Sequence, residues 1–363
     1  MKIFKAVGLL VLLALAIAFP LLFSNPAVTT IAVFTLMFAA AATGWNIFSG
    51  YTGYIALGHA AYFGLGAYTL ALICQHWNIP GGYMPFWFVP VAGLVTAVFA
   101  IPLGWIALRV RRHTFVVITI AIFFIFQLLA YNLTTLTNGS IGLGLPIPTD
   151  WNGDFFNVPF YYVSLAILLF AIVLSWGIRN SKYGLGLLAI RDDEDRALGL
   201  GVKTVPSKLI AFVISAFIVG MVGATWAYFI ESIYPPSAFD ATFDIAIALM
   251  GFMGGMGTIT GPILGALILE PAQQYFTLQF SQNGIYLLIY GALFLVVILL
   301  LPRGIVPTLS EWWTKYQIAR HQHQQDGSTI APALSAQSAQ SSQQAPPVQE
   351  QPAKVDKKEG INL

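Results

Sequence analysis

The sequence predicts an all-α integral membrane protein of about nine hydrophobic segments, some of them broken. Three observations carry this. Of the 363 residues 57% are hydrophobic and only 9% charged, against about 25% charged in a soluble domain. The apolar stretches run to roughly 20 residues, the length that spans about 30 Å of hydrocarbon at 1.5 Å per helical residue. From Lys2 to Arg320, every lysine and arginine falls in one of four clusters: Lys2/Lys5; Arg109/Arg111/Arg112; Arg179, Lys182, Arg191, Arg196, Lys203 and Lys208; and Arg303/Lys315/Arg320. Retained basic charge marks the cytoplasmic side. The clusters therefore set the topology of a bacterial inner-membrane protein with both termini cytoplasmic.

In chain order the segments are 6–23, 28–48, 54–75, 86–108, 114–133, 160–178, 208–230, 243–270 and 284–302. The first also fits a signal peptide, but its apolar run continues to Phe23 without a small-x-small cleavage site, so it reads as an uncleaved helix. Alternation from Lys2 puts 134–159 and 231–240 outside and 179–207 inside. A single crossing by 243–270 would put Arg303 outside. That stretch is also too long and is interrupted by Gly251, Gly254, Gly255, Gly257, Gly261 and Pro262. It is therefore expected to form two half-length pieces, or a hairpin, returning outside.

Irregular backbone at membrane depth survives only when packed in protein or lining a cavity. The break at 251–262 is thus a translocation-route candidate, with a glycine-rich packing face as the plain alternative. A similar stretch, residues 50–66, occurs early (Gly50, Gly53, Gly58, Gly64, Gly66). One interruption per half is what an internally duplicated transporter shows. The pathway candidates are Gly53, Gly58, His59, Gly254, Gly257 and Gly261.

The transmembrane domain is read as 1–307. Residues 308–325, with Trp312 and Trp313, read as a short interfacial amphipathic helix, and the Ala/Ser/Gln/Pro-rich 326–363 as a disordered tail.

The polar loop 179–208 is too long for a turn and too polar to insert. It predicts a helix over 182–198 stopped by Gly199 and Gly201, with Leu185, Leu188 and Ala189 on one face, broadened by Leu187, Ile190 and Leu198. Either it is a solvated connector, or it docks in a cleft of a cytoplasmic partner. Its motif YGLGLLAIRDDEDRALG (183–199) resembles the coupling loop of the branched-chain amino acid ABC permease family. The resemblance extends to GYIALGHAAYF (53–63), TNGSIG (137–142), GGMGTITGP (254–262) and PRG (302–304), and so covers most of 30–306 in the family's order. It looks most like the second permease of that family's pair (the LivM type), with urea permeases as near relatives. Asp195-Arg196 departs from the commoner alanines there and affects the helix's register.

The resemblance implies a pathway for branched-chain or other neutral amino acids, or for urea or amides. It implies as partners a second homologous permease, two ATP-binding subunits and an extracytoplasmic substrate-binding protein. Ala189, Ile190, Arg191, Asp192, Asp193 and Gly199 match coupling positions that would meet the ATPase. No G-x-x-x-x-G-K-[ST] phosphate loop occurs, so the chain is read as non-catalytic, with no cofactor of its own and ATP bound by the partner subunits. There is no basic stripe for nucleic acid, and the lone Cys74 supports no thiolate metal site.

His59 is expected either to line the route or to bond a nearby carbonyl, and Gln127 to bond across helices. Asp244 is expected at a segment boundary and Glu270 at the outer interface. A secondary transporter would want carboxylates at the midplane, and an intramembrane enzyme a nucleophile–base pair. Neither is visible in the sequence. The outer loops offer Asp150, Asp154, Glu231 and Asp240 as docking carboxylates for the binding protein.

Overall fold

The computed structural model describes residues 2–23, 25–147, 151, 155–280 and 304–312, with isolated positions between 291 and 299. Two compact units are distinguished, Met1–Thr308 and Leu309–Leu363, and the first holds every membrane-capable helix among the described residues. The expected segment 284–302, the helix beyond 312, the tail, Asp150 and Asp154 lie outside the described residues.

The elements are helices joined by short connections. α1 (Lys2–Leu22) is followed by α2 (Pro26–Trp45), which starts with proline in its first turn and Asn25 as cap, and ends in a π-helical turn, Asn46–Gly50. α3 (His59–His76), α4 (Val89–Ala107) and α5 (Arg112–Asn132) lead to the short α6 (Thr134–Thr137). Strand β1 (Leu143–Gly144) precedes α7 (Asn157–Arg179), α8 (Lys182–Asp192), α9 (Glu194–Gly199) and α10 (Thr204–Ile230). β2 (Ser232–Ile233), antiparallel to β1, leads through α11 (Pro235–Ala238) to α12 (Ala241–Gly254) and α13 (Gly261–Phe280). Residues 305–312 are again helical.

Six helices among the described residues are long and apolar enough to cross a membrane: Pro26–Gly50, Met84–Ala107, Arg112–Asn132, Asn157–Arg179, Thr204–Ile230 and Pro235–Gly254. The other expected segments depart from simple spans for local reasons. The predicted span 54–75 begins as helix only at His59, because residues 53–58 have no regular secondary structure. The stretch 243–270 does reverse direction between Gly254 and Gly261. However, the second arm is a full 20 residues, not a half-length piece.

α10 is the central element, packed most extensively on α3 and α4. Close approach depends on missing side chains. A Cβ on Gly66 would overlap the Gly220 carbonyl, and one on Gly223 would overlap that of Phe63. With no hydrophobic drive between helices in lipid, such small-residue contacts supply the packing. α3 runs beside α10 from Ser215 outward, since His59 Nε2 lies 2.7 Å from Ser215 Oγ. Ser215 is eleven residues past the start of α10, about 16 Å at the helical rise. α3 therefore starts at mid-depth. α12 fills the depth that α3 leaves vacant, because Asp244 meets the first turn of α3 and Gly254 reaches the end where α8 and α9 lie.

Candidate functional site

Two places in the chain lose helical structure, 53–58 and 255–260, and both come together at the end that carries α8 and α9. The chemistry there follows from helix termini, whose last carbonyls have no intrahelical partner and favour a cation. Arg191, in the last turn of α8, donates from Nη1 to the Gly50 carbonyl (2.9 Å) and to that of Met256 (3.4 Å). Arg179, ending α7, donates to the Gly257 carbonyl at 2.5 Å and lies over the Tyr51 ring. Arg112 donates to the carbonyls of Ile190 (3.0 Å) and Arg191 (2.7 Å), closing the end of α8. Asn46 completes the set: its amide donates to the Thr258 carbonyl (2.8 Å) and its oxygen accepts from the Gly257 N–H (2.7 Å). Three arginines and one asparagine thus fasten both broken segments to the polar loop.

Gly257 is required here twice over. Its φ is +81°, a region L side chains rarely adopt, and a Cβ would overlap the Arg191 guanidinium. Gly53, at φ +72°, lies against Arg191 Cγ. Of the remaining pathway candidates, Gly58 abuts the Thr119 carbonyl, while Gly254 and Gly261 pack on one another where α12 turns into α13. The five glycines therefore lie in or at the edges of the two breaks, and His59 begins α3 just after the first.

The predicted single helix over 182–198 is two. Asp193 leaves helical geometry (φ −156°, ψ 112°) and caps α9, accepting from the Arg196 N–H at 3.0 Å. Ser181 caps α8 in the same way, accepting from the Gly184 N–H. Asp, with Glu194 and Asp195 in the first turn, is a strong helix start, and this signal outweighed continuity. The Arg196 N–H holds the Asp193 carboxyl below the usual carboxylate range.

Within the coupling motif, Asp192 and Gly199 are exposed, whereas Ala189 and Asp193 are half-buried. Ile190 is fully buried and Arg191 turns inward. These last two meet their own chain. The apolar side chains that stand clear are Leu185, Leu198 and Leu200, 64%, 59% and 82% exposed.

Below α9 lies a feature the sequence did not disclose. Lys208 is 1% exposed. Its Nζ donates to Glu194 Oε1 at 2.5 Å and to the Tyr54 hydroxyl at 3.2 Å, and that hydroxyl donates in turn to Glu194 Oε2. Burial alone would raise the Glu194 carboxyl, but bonds from Lys208 and Tyr54 hold it below its usual range. The triad joins α9 and α10 to the start of the irregular 54–58 stretch. A partly open cleft of about 550 Å³ opens above it, lined by Arg109, Arg111, Asp192 and Asp195 among others. The ion pair Arg111–Asp195 across it is 3.6 Å long and exposed, and so contributes little.

At mid-depth the structure corrects two expectations, those for Asp244 and Glu270. Asp244 is not at a boundary: it is 3% exposed, with Oδ1 accepting from the Ala60 N–H at 3.0 Å. Glu270 is 1% exposed and half-way along α13, not at an interface, and accepts from Gln274. Buried carboxylates at this depth are thus present. His59 is fully buried and pairs with the Ser215 hydroxyl, not with a carbonyl. Gln127 does bond across helices, to the Phe239 carbonyl at 2.9 Å. Of the expected docking carboxylates, Asp240 is half-buried and caps α12 through the Thr242 N–H, and half-buried Glu231 ends α10 with φ +64°.

The family model described as "Branched-chain amino acid transport system / permease component" matches residues 27–298, well over half of the chain. The chain belongs to this family. Its members are permease components, which are not catalytic. It is 28% identical over 328 residues to the high-affinity branched-chain amino acid transport system permease protein LivM of Salmonella typhimurium, covering 82% of this chain and 74% of that protein. The LivM of Escherichia coli K12 gives the same identity and coverage. LivH of Salmonella typhimurium is 26% identical over 285 residues, covering 74% of this chain and 91% of that protein. No solved structure matches significantly.

Proposed function

We propose that this chain is one of two homologous permease subunits of an inner-membrane ABC importer. Together they form the pathway for branched-chain or other neutral amino acids delivered by an external binding protein. ATP is hydrolysed by separate subunits docked on α8 and α9. The observation that carries the reading is the arginine clasp, which ties a short, exposed two-helix loop to both broken segments of the membrane domain. The polar loop is where force enters, and the breaks are where the backbone can shift without unwinding a full span. The names of the LivM and LivH relatives supply the substrate class.

Docking rests on Leu185, Leu198, Leu200 and Gly199. A Cβ on Gly199 would meet only open space, and its backbone geometry is ordinary, so a large side chain there disturbs only what sits outside this chain. Gly199→Trp should leave membrane insertion and melting temperature unchanged while abolishing co-purification of the ATPase subunits. Leu198→Asp should act in the same direction. Normal co-purification and uptake in both would remove α9 from the interface. Ile190→Asp is not a usable probe, since it would bury a charge within this chain.

The orientation has its own check. In a chain expressed without the ATPase subunits, Leu200→Cys, with Cys74 replaced by Ser, should react with an impermeant maleimide only after cells are permeabilised. Reaction in intact cells would invert the topology.

A further inference from the structure

The start of α3 is a helix N-terminus at mid-depth, and the groups gathered there have unused bonding capacity. Asp244 gives one oxygen to the Ala60 N–H, but its Oδ2 has no partner. His59 Nδ1 and the Tyr62 hydroxyl, one turn along α3, are likewise buried and unpartnered. The His59 and Tyr62 rings lie edge-on at 6.2 Å. Among the described residues no salt bridge reaches Asp244, and the nearest acidic residue in sequence, Asp240, adds charge of the same sign.

The positive end of α3 favours a carboxylate here, but asparagine caps as well as aspartate without the cost of a charge in a membrane interior. The free oxygen calls for a cation that is present only part of the time. A metal ion would need several ligands, and no group of three His, Cys, Asp or Glu side chains among the described residues could hold one. The irregular 53–58 stretch leading to His59 has no helical ladder to break. Arg191 bonds Gly50, just before this stretch, and Met256, just after α12, so release of that side chain frees the α3–α12 seam at which Asp244 lies.

We propose that Asp244, assisted by Tyr62 and His59, forms the point in this seam that receives the ammonium group of an α-amino acid as it passes. This rests on the amino-acid cargo of the proposed function. In the closed seam the site is sealed. When the seam opens, the ammonium donates to Asp244 Oδ2 and to the Tyr62 oxygen. The pairing offsets desolvation of the cargo's positive end without holding it tightly, as a conduit requires.

The test uses the complete importer in proteoliposomes with its loaded binding protein, radiolabelled leucine and valine as ammonium-bearing cargo, and urea and acetamide as cargo without one. Asp244→Asn keeps the cap to Ala60 and removes only the charge. Its uptake of leucine should fall tenfold or more, while melting temperature and stimulation of ATP hydrolysis by the loaded binding protein stay as in the parent. Asp244→Ala should lose stability as well. Tyr62→Phe touches no cap and should lower uptake a few-fold. If the parent carries leucine and Asp244→Asn carries it equally well, the aspartate is a cap or a permanently protonated acid, and the inference alone fails. An early-melting Asp244→Asn together with parental uptake in Tyr62→Phe also overturns it. If the parent carries only urea or acetamide, the amino-acid reading and the inference fall together.

Discussion

Replacing Arg191 with glutamine is expected to reduce ATP-driven uptake tenfold or more while the subunits still assemble. The guanidinium reaches the end of the α2 π turn at Gly50 and the α12–α13 turn at Met256 at once, and the rest of its residue is anchored from behind by Arg112. A hydrogen bond from a charged donor contributes about 1.5–3 kcal/mol. Losing two leaves carbonyls that the glutamine amide cannot span together. Ile190, next in the helix, is fully buried by its own chain, so α8 should stay seated and the ATPase should still bind. What is lost is transmission: ATP hydrolysis should become insensitive to the loaded binding protein. Gly257→Val should reproduce the defect from the other side, because its backbone is left-handed and its side chain would displace the guanidinium. Parental uptake in both variants would show that the clasp is structural filling rather than a link.

How much of this was legible in the sequence depends on whether the signal is periodic or long-range. The two breaks were visible as Gly50–Gly66 and Gly251–Pro262 clusters, because glycine at such density is poor helix and good turn. The reversal after 254 was readable from charge alone, since a single crossing would have put Arg303 on the wrong side. The direction of the arginines was not. A basic residue in a loop is read as an orienting charge, and nothing near Arg191 in the chain indicates that its partners are Gly50 and Met256, 141 and 65 residues away. Asp244 was misplaced for a similar reason. Four residues after Asp240 it looks like part of a polar boundary, yet 231–240 dips inward before α12 begins, as the bond from Gln127 to the Phe239 carbonyl shows. The split of 182–198 was within reach, because Asp-Asp-Glu-Asp is a capping pattern, but the apolar ridge on either side argued for continuity. The family resemblance supplied the coupling role and could not say that Ile190 faces inward.

The second large effect is expected at Lys208. Its side chain is 2% exposed and its ammonium meets Glu194 at 2.5 Å, with the Glu194 side chain 26% exposed, and Tyr54 bridges the two. Removing one member of a buried pair costs about 3–5 kcal/mol because the other charge is left unmatched, whereas replacing both by apolar or neutral groups of similar size is often harmless. Lys208→Met should therefore lower stability by about 3 kcal/mol, near the low end of that range because water still reaches Glu194. Glu194→Gln should cost a comparable amount, and the double replacement should recover most of the loss in detergent melting experiments. The pH dependence follows from the lowered Glu194 carboxyl. A depressed native pKa contributes stability that is complete above the unfolded value of about 4.3 and disappears as pH falls through the native one. Parental protein should thus lose this part of its stability below about pH 4, and Glu194→Gln should lack that acid-side loss. Function separates from stability in the double variant. Since the charges that bind α9 to α10 and to Tyr54 at the start of the irregular 54–58 stretch would be gone, a well-folded Glu194→Gln/Lys208→Met protein should still bind ATPase yet couple hydrolysis to uptake poorly. Recovery of both stability and full coupling would confine the triad to holding the loop in place, and the Arg191 clasp alone would then carry motion into the membrane domain.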